Sequence, residues 1–347
     1  MPIRAILLPT PDQPTLSNPD ADGHPVRQNF GDTEGSLRIA TRESPLALWQ
    51  AHHVADLLAA QSIGSQIVPM VSSGDIDMRP IDGKRSVGVF TKRIQQALLD
   101  DEGDLAVHSM KDLPTEAHPD LQMIATPQRE TVVDCLVSPG GGPLDSLPAG
   151  ARIGTGSRRR AAQLLRVRPD LQILPIRGNV QTRLQKMHDG EYDAIVLAAA
   201  GLQRLQMNDL RRVELPLEMM LPAPGQGALA IEVRRNDQRA IDAVSQLNDA
   251  CAAACTLAER TLLSQLHGGC LAPIAAHATV TSNSDSSQLR LIARVLSVDG
   301  TECLESAAEC PIKLEWGQWQ TVAIELGRQI SSGLIERGAR ALIESGR

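Results

Sequence analysis

The chain is poor in aromatic residues and has no long apolar segment. It contains three Trp, one Tyr and two Phe among 347 residues. Proteins that hold single-stranded nucleic acids usually stack the bases on aromatic rings, so this composition disfavours a nucleic-acid partner. No apolar run approaches the roughly 20 residues that a transmembrane helix needs, and the opening MPIRAILLPTP lacks the small-residue cleavage site of a secretory signal. We therefore expect a cytoplasmic protein with neither a nucleic-acid nor a membrane partner.

Cysteine spacings typical of redox or zinc sites are also missing. The six cysteines include no CxxC pair, which favours a reduced protein without a metal site. One of them, Cys270, follows two glycines in LHGGCLAPI, where the backbone can approach other segments closely. From spacing alone, its thiol is a nucleophile, a covalent anchor or a small apolar filler.

What the chain does contain is arginine concentrated at turns, although the net charge is -7. The cluster follows three motifs, SLRIAT, IGTGS and LQILPI, and consists of Arg42, Arg158, Arg159, Arg160, Arg177 and Arg183. A guanidinium group matches a carboxylate with two parallel hydrogen bonds and stays charged at any working pH. The pattern predicts a site for a small ligand that carries several carboxylates or phosphates.

The hydrophobic pattern predicts an α/β protein. Residues 1–35 are rich in Pro, Asp and Gly and are expected to form a flexible tail. From Ser36, strand-like and helix-like segments alternate, and one helix begins at Pro45 with Ser44 as its N-cap. Such alternation favours a mainly parallel sheet covered by helices.

A second alternating set begins near Thr131, and a third region differs in character. After LPAPGQG, the run ALAIEV is expected to return to the first sheet, which leaves two lobes and a cleft between them. The last hundred residues suggest an Ala-rich helix, two alternating strands around 275–296 and a final helix over 314–344. The predicted domains are 36–128 with 228–247, then 129–227, then 248–347.

Lys111 and Asp112 end the apolar strand in HSMKDLP. Ligands collect at the carboxyl ends of strands in parallel sheets, so both side chains are candidates for a cleft. A carboxylate there could stabilise a developing cation or move a proton, and the neighbouring Lys111 would favour its ionised form. The alternative is that Asp112 caps a turn while Lys111 is solvated.

GTGSRRR and RGNVQTR both combine a glycine turn with the start of a predicted helix. The free N–H groups of a helix N-terminus bind anions, and nearby arginines would reinforce such a site. The P-loop pattern GxxxxGK[ST] is absent from the chain. The alternative interpretation of the three consecutive arginines is a solvated basic helix face.

Taken together, the motifs resemble those of the porphobilinogen deaminases. The matching segments run in order as RIATRESPLALWQA, AVHSMKDLPT, IGTGSRRR, LRVRPDLQILPIRGNVQTRL, GEYDAIVLAAAGLQRL, LPAPGQGALAIE and GGCLAPI. The resemblance implies two hinged, doubly wound lobes like those of type II periplasmic binding proteins, followed by a small C-terminal α+β domain. It also implies a monomer that joins four porphobilinogen units head to tail into hydroxymethylbilane, in tetrapyrrole biosynthesis.

The same resemblance assigns roles to individual residues. It implies a dipyrromethane cofactor bound by a thioether to Cys270, and Asp112 as the catalytic carboxylate. The carboxylates of cofactor and substrate would be held by a larger set: Lys111, Thr155, Ser157, Arg159, Arg160, Arg177, Asn179 and Arg183 for the cofactor, and Arg42, Ser44, Arg177 and Arg204 for the substrate. The segment GKRSVGVFTK departs from the family pattern, with Val87 where many relatives have lysine.

Two other functions fit part of the pattern. A hinged binding protein for a carboxylate-rich ligand would explain two lobes and the arginines, but not Asp112 or the Cys270 loop. A nucleic-acid binder would use the arginine patches and would bind in a strongly salt-dependent way.

Overall fold

The structure is a computed structural model and describes residues 35–71, 91–266, 272–282, 286–315 and 317–344. Ser36–Arg347 form one compact unit. The tail predicted over residues 1–35 lies, apart from Gly35, outside the described residues, and so do Val87 and Cys270. Within the described ranges, no helix is both long enough and apolar enough to cross a membrane.

The described segments contain strands in three groups and helices between them. The strands are β1 (Leu37–Arg42), β2 (Ser65–Met70), β3 (Leu105–Ser109), β4 (Leu121–Ala125), β5 (Asp134–Val137), β6 (Arg152–Gly154), β7 (Gln172–Leu174), β8 (Ala194–Ala198), β9 (Arg212–Glu214), β10 (Leu229–Arg234), β11 (Ile274–Ser282), β12 (Ser287–Leu296) and β13 (Cys303–Ile312). The helices are α1 (Pro45–Ala59), α2 (Lys92–Leu99), α3 (Arg158–Val167), α4 (Val180–His188), α5 (Ala199–Arg204), α6 (Gln238–Ser245), α7 (Ala250–Gln265), α8 (Trp319–Glu336) and α9 (Ala339–Glu344).

Two five-stranded sheets share one topology. The first has the order β2-β1-β3-β10-β4 and the second the order β7-β6-β8-β5-β9. In the first sheet, β1 is parallel to β2 and β3, whereas β10 is antiparallel to both of its neighbours. In the second, β6 is parallel to β7 and β8, and β5 takes the antiparallel position. The chain therefore crosses between the sheets twice, before β5 and before β10, and the predicted return of ALAIEV to the first sheet is confirmed.

Helices cover both faces of each of these sheets. In the first sheet, α1 and α6 pack on the face that carries Leu105 and Ile231, while α2 packs on the face of Ala40 and Ala106. In the second sheet, α4 and α5 pack on one face and Leu164 of α3 packs on the other. Burying apolar side chains on both faces requires such cover, and the predicted α/β class is confirmed.

The C-terminal region forms an antiparallel sheet of order β11-β12-β13 with helices on one face. It has one strand more than the two alternating runs that the sequence predicts, because β13 carries Glu, Ser and Ala at positions where apolar residues would mark a strand. The predicted final helix is divided into α8 and α9 at Gly338, whose φ of 94° belongs to the left-handed region that glycine favours. The predicted small α+β unit is otherwise confirmed.

Candidate active site

A cavity of about 640 Å³ lies where the carboxyl ends of parallel strands from both five-stranded sheets meet. From the first sheet it receives the end of β1 and the turn after β3. From the second it receives the loops that follow β6 and β7 and the end of β8 with the helix α5 that continues from it. Ten of the residues predicted from sequence line it: Arg42, Ser44, Lys111, Asp112, Ser157, Arg160, Arg177, Asn179, Arg183 and Arg204. The topology thus brings together side chains that are up to 162 positions apart, from Arg42 to Arg204.

Three helix N-termini open onto this cavity. Ser44, Ser157 and Asn179 are the N-caps of α1, α3 and α4, and their side-chain oxygens accept hydrogen bonds from the backbone N–H of Ala47, Arg160 and Thr182. A cap satisfies one of the free N–H groups of the first turn and leaves the others, with the positive end of the helix dipole, facing the cavity. The helices therefore add to the positive potential that the arginines create, and anions are favoured here.

Lys111 and Asp112 lie in a single 3-10 turn, Met110–Asp112, directly after β3. Asp112 is exposed toward the cavity, and the Nζ of Lys111 is 3.4 Å from Oε1 of Gln226. Burial and the nearby charge of Arg160 lower the pKa of Lys111 to about 8, although Asp112 and Asp134 oppose the shift. Among the described residues, the cavity wall therefore carries two exposed carboxylates, Asp112 in the turn after β3 and Glu43 just after β1, together with a lysine whose pKa is lowered to about 8.

Asp134 is a buried carboxylate that the sequence analysis did not single out. Its Oδ2 is 2.7 Å from Nη2 of Arg159, and its Oδ1 is 2.7 Å from Nη2 of Arg160 and 3.0 Å from Nε2 of Gln226. Burial alone would raise the pKa of Asp134, but the charges of Arg159 and Arg160 outweigh it and hold that pKa well below its usual range. A lone acid in the apolar run VVDCLVS was the available signal, since a buried carboxylate requires charged partners.

Arg159 and Thr155 were predicted to bind the cofactor, but neither side chain lines the cavity. Arg159 donates to Asp134 and, at 2.6 Å, to the carbonyl of Leu221. The buried Thr155 accepts a hydrogen bond from the backbone N–H of Ser157 at 3.2 Å. In this structure both side chains shape the loop and the start of α3, and their contact with a cofactor stays a prediction.

Arg183 and Arg204 are held in place by backbone carbonyls. Nε of Arg183 donates to the carbonyl of Gly178 at 2.9 Å, and Nη2 of Arg204 donates to that of Gly227 at 2.7 Å. Arg204 also lies over the ring of Trp49, 5.7 Å from its centroid. Burial lowers the pKa of both guanidinium groups to about 10, with Arg160 and Arg177 adding to the effect at Arg183. Both groups remain charged at neutral pH, and a carboxylate in the cavity would relieve the cost of burying them.

The two crossing segments meet at a buried glutamate of α7. Glu259 has no exposed surface, and its carboxylate accepts from both terminal nitrogens of Arg129 at 2.8 and 3.0 Å. It also accepts from the backbone N–H of Gly225 and of Ala278, each at 2.7 Å. One side chain therefore connects both crossing segments with β11. Sequence reasoning missed this pair because its partners are 130 positions apart.

Two family models match successive parts of this chain. Residues 37–242 match "Porphobilinogen deaminase, dipyromethane cofactor binding domain", and residues 253–336 match "Porphobilinogen deaminase, C-terminal domain". The chain belongs to the porphobilinogen deaminase family. The resemblance noted from the sequence motifs is confirmed.

Curated porphobilinogen deaminases are similar over nearly the whole chain. The protein of Syntrophotalea carbinolica is 42% identical over 90% of this chain and 96% of its own length, and that of Corynebacterium efficiens is 42% identical over 89% and 99%. Among solved structures, the BvgS VFT2 domain of Bordetella pertussis is 13% identical, with a TM-score of 0.39 over 61% of this chain and 86% of that domain. An ancestral cationic amino acid solute binding protein has a TM-score of 0.38 at 15% identity, over 62% and 88%. The fold assignment stands on the strand order described above.

The residues of the cavity fit the cofactor that the porphobilinogen deaminase model names. A dipyrromethane built from porphobilinogen carries an acetate and a propionate on each of its two rings. The wall supplies guanidinium groups, Lys111 and three helix N-termini, which are the groups that bind carboxylates most strongly in proteins. Cys270, the predicted attachment point, lies outside the described residues.

Proposed function

We propose that this porphobilinogen deaminase deaminates porphobilinogen and joins four units head to tail into hydroxymethylbilane, with Asp112 as the catalytic carboxylate and Cys270 as the attachment point of the cofactor. The supporting observation is that the turn after β3 places the exposed carboxylate of Asp112, next to Lys111, among the arginines that line a cavity of about 640 Å³. A site built only to capture a polycarboxylate would place no acid there, because it would repel the ligand.

The cations would bind the acetate and propionate groups of the pyrroles. Arg42 ends β1, Arg177 and Arg183 follow β7, and Arg204 ends the helix that follows β8. The four side chains thus come from three strand ends, so carboxylates on several rings can be held at once. Lys111 and the N-termini of α1, α3 and α4 would provide further donors. Holding the reacting rings in one orientation removes much of the entropic part of the barrier.

Asp112 would act where positive charge develops. Loss of ammonia from porphobilinogen leaves a cationic methylene-pyrrole, and a fixed carboxylate stabilises that charge more in the transition state than in the bound substrate. The carboxylate can also accept hydrogen bonds from pyrrole N–H groups. The short turn after β3 holds the backbone of Asp112 rigidly at the end of a strand that is paired on both sides.

The cofactor, when bound, supplies the primer to which substrate units are added. Within the chain, Lys111, Ser157, Arg160, Arg177, Asn179 and Arg183 would hold its carboxylates, and Thr155 and Arg159 would support the loop that carries them. We further propose that the enzyme is a cytoplasmic monomer. Its three sheets would be the cores of domains at 36–128 with 228–247, 129–227 and 248–347.

Intact mass combined with an ammonia assay tests the assignment of Cys270. The purified active enzyme should carry an adduct with the mass of a dipyrrole and release ammonia from porphobilinogen. Cys270→Ser should remove both the adduct and the activity, whereas Cys251→Ser, at an exposed cysteine at the start of α7, should retain both. An active protein of unmodified mass contradicts the proposal, and an adduct that survives in Cys270→Ser places the anchor elsewhere.

The catalytic role of Asp112 has its own test. Asp112→Asn removes the negative charge and keeps the shape, so it should retain fold and adduct and lower kcat by roughly 100-fold or more. Glu116→Gln, at an exposed acid four positions along that does not line the cavity, is the matched control and should leave kcat unchanged. Near-normal turnover of Asp112→Asn would mean that another group stabilises the cation.

A further inference from the structure

The turn that carries Asp112 is held by an arginine from the C-terminal region. Nη1 of Arg260, on α7, is 2.9 Å from the carbonyl oxygen of Leu113 and 3.5 Å from that of Met110. Nη2 of the same side chain is 2.6 Å from the carbonyl oxygen of Pro114. One guanidinium group therefore binds the carbonyls at the C-terminal end of the 3-10 turn Met110–Asp112, where a cation is most favourable.

The other supports of this turn come from the first sheet and the second crossing segment. The backbone N–H of Met110 donates to the carbonyl of Ala228 at 3.0 Å, and the buried Met110 side chain packs against Ala228 and Ala230. Gly225 lies so close to Met110 that a Cβ at this position would collide with its side chain. Besides Arg260, the described residues support the segment after Asp112 through the turn's own hydrogen bond, from the N–H of Leu113 to the carbonyl of Met110 at 3.2 Å, and through packing of the buried Leu113 with Met110.

The helix that carries Arg260 is also fixed at the crossing segments. Its preceding residue, Glu259, accepts hydrogen bonds from Arg129 and from the N–H of Gly225, the glycine that lies against Met110. The same helix ends at Gln265, five positions before Cys270. Neighbouring residues of α7 thus hold the turn of Asp112 and the segment it packs on, and the helix leads directly into the predicted attachment loop.

We propose that Arg260 is a positioning residue, which sets the location of Asp112 relative to the helix that leads to the cofactor attachment point. This inference rests on the proposed catalytic role of Asp112. Arg260 touches no substrate, since it does not line the cavity, and it acts through the carbonyls of Met110, Leu113 and Pro114. It makes the C-terminal region part of the geometry of the reaction as well as the carrier of the cofactor.

Arg260→Met in the cofactor-loaded enzyme tests the proposal by its effect on kcat. A misplacement of about 1 Å can cost roughly 100-fold in rate, so we expect kcat to fall roughly 10- to 100-fold with little change in KM. Amide exchange of residues 111–115 should accelerate, and the dipyrrole adduct in the intact mass should remain. Arg260→Lys keeps the charge but lacks the planar fork that reaches three carbonyls in this geometry, so its kcat should lie between that of the native enzyme and that of Arg260→Met.

Arg168→Met is the matched control. Arg168 donates to the carbonyls of Leu144, Leu147 and Pro148 around the other 3-10 turn, Leu144–Ser146, away from the cavity. Loss of an arginine that binds a turn should therefore leave kcat unchanged at that position. A similar loss of kcat in both variants would show a general loss of stability and would overturn the proposal.

A double-mutant cycle separates this inference from the proposed function. If Arg260 acts through Asp112, adding Arg260→Met to Asp112→Asn should lower the residual kcat by less than about twofold. If Arg260→Met lowers kcat equally in the native and the Asp112→Asn backgrounds, or if it leaves kcat and amide exchange normal, the positioning role is overturned. In either case an inactive Asp112→Asn still supports the catalytic assignment. Normal turnover of Asp112→Asn overturns both. Should Arg260→Met fail to fold, Arg260→Lys carries the same cycle.

Discussion

The carboxylate of Asp134 lies 2.7 Å from a terminal nitrogen of Arg160, and both residues are buried. Arg160 lines the cavity with part of its surface while its Nε and Nη2 are bound to Asp134 and its Nη1 to the carbonyl of Val196. The cavity thus gains a positive charge whose direction is fixed by a buried acid. Preorganisation of this kind needs no rearrangement when a charged ligand arrives.

Asp134→Asn should destabilise the protein strongly. It leaves Arg159 and Arg160 without their shared counter-charge in a buried place, which typically costs about 3–5 kcal/mol of unfolding free energy. Asp170→Asn, which weakens the exposed pair with Arg168, should lower the unfolding free energy far less, because solvent screens that pair. Urea unfolding of both variants checks the difference, and equal midpoints would contradict it.

Because of the carboxylate of Asp134, we expect the unfolding free energy to fall as the pH becomes acidic. The pKa of Asp134 is held below that of an unfolded aspartate, about 3.9, because Arg159 and Arg160 outweigh the effect of burial. Its contribution is therefore complete above about pH 5 and is lost as pH falls toward the folded-state value, since the unfolded state then binds more protons. Unfolding free energy measured from pH 6 to 3 should fall more steeply for the native protein than for Asp134→Asn.

Because of the lowered pKa of Lys111, we expect substrate affinity to fall at mildly alkaline pH. Burial and the charge of Arg160 lower its pKa to about 8, so the free enzyme loses this cation as pH rises through that value. The profile of kcat/KM, which reports groups of the free enzyme, should decline above about pH 8, and Lys111→Arg should extend the plateau because arginine stays charged. The unfolding free energy should instead rise with pH between pH 8 and 10, since the unfolded lysine binds its proton more tightly than the buried side chain does. A native profile that Lys111→Arg leaves unchanged would assign the limb to another group.

Because Glu259 connects both crossing segments with the C-terminal region, we expect these parts of the protein to unfold cooperatively. Glu259→Gln leaves Arg129 half-satisfied and should cost about 3–5 kcal/mol, whereas Glu309→Gln at an exposed position of β13 should cost little. Combining Glu259→Gln with Arg129→Met should cost less than the sum of the single variants, because the two side chains share one interaction. Denaturant unfolding of the four proteins gives the coupling energy, and strict additivity would show that the pair is energetically independent.

The sequence predicted the cavity better than it predicted the partners of its arginines. Local signals were sufficient for Ser44, because an N-cap followed by Pro45 is a property of adjacent residues, and the cap is confirmed at the start of α1. Strand ends could be placed in one cleft because parallel topology brings their carboxyl ends together. The charge state and direction of Arg159, on α3, depend instead on Asp134, which is 25 positions away on β5.

Long-range pairs of this kind leave only a weak trace in the sequence. A carboxylate inside an apolar strand or an Ala-rich helix indicates that some cation must lie nearby, but it does not say which one. Asp134 and Glu259 both follow that rule, with Arg159 and Arg160 for the first and Arg129 for the second. The missed strand β13 has another cause, since an edge strand with one solvated face needs few apolar residues.

Trp49 should report on occupancy of the cavity and affect affinity more than turnover. Its ring, half-buried on α1, lies under Arg204 at 5.7 Å and stacks with His53 at 5.1 Å, so it joins the first sheet's helix to a cationic side chain of the second. A cation over an aromatic ring contributes about 0.5–2 kcal/mol, and this contribution is lost without the ring, whereas the bond from Arg204 to the carbonyl of Gly227 remains. Trp49→Leu should therefore raise KM roughly 2- to 30-fold with little change in kcat, and Trp49→Phe, which keeps a ring, should have a smaller effect. In a background that carries both Trp316→Phe and Trp319→Phe, Trp49 is the one remaining tryptophan of the sequence, and its fluorescence should change when porphobilinogen binds. If the fluorescence does not change when substrate is added and Trp49→Leu leaves KM unchanged, Arg204 is held in place without the ring.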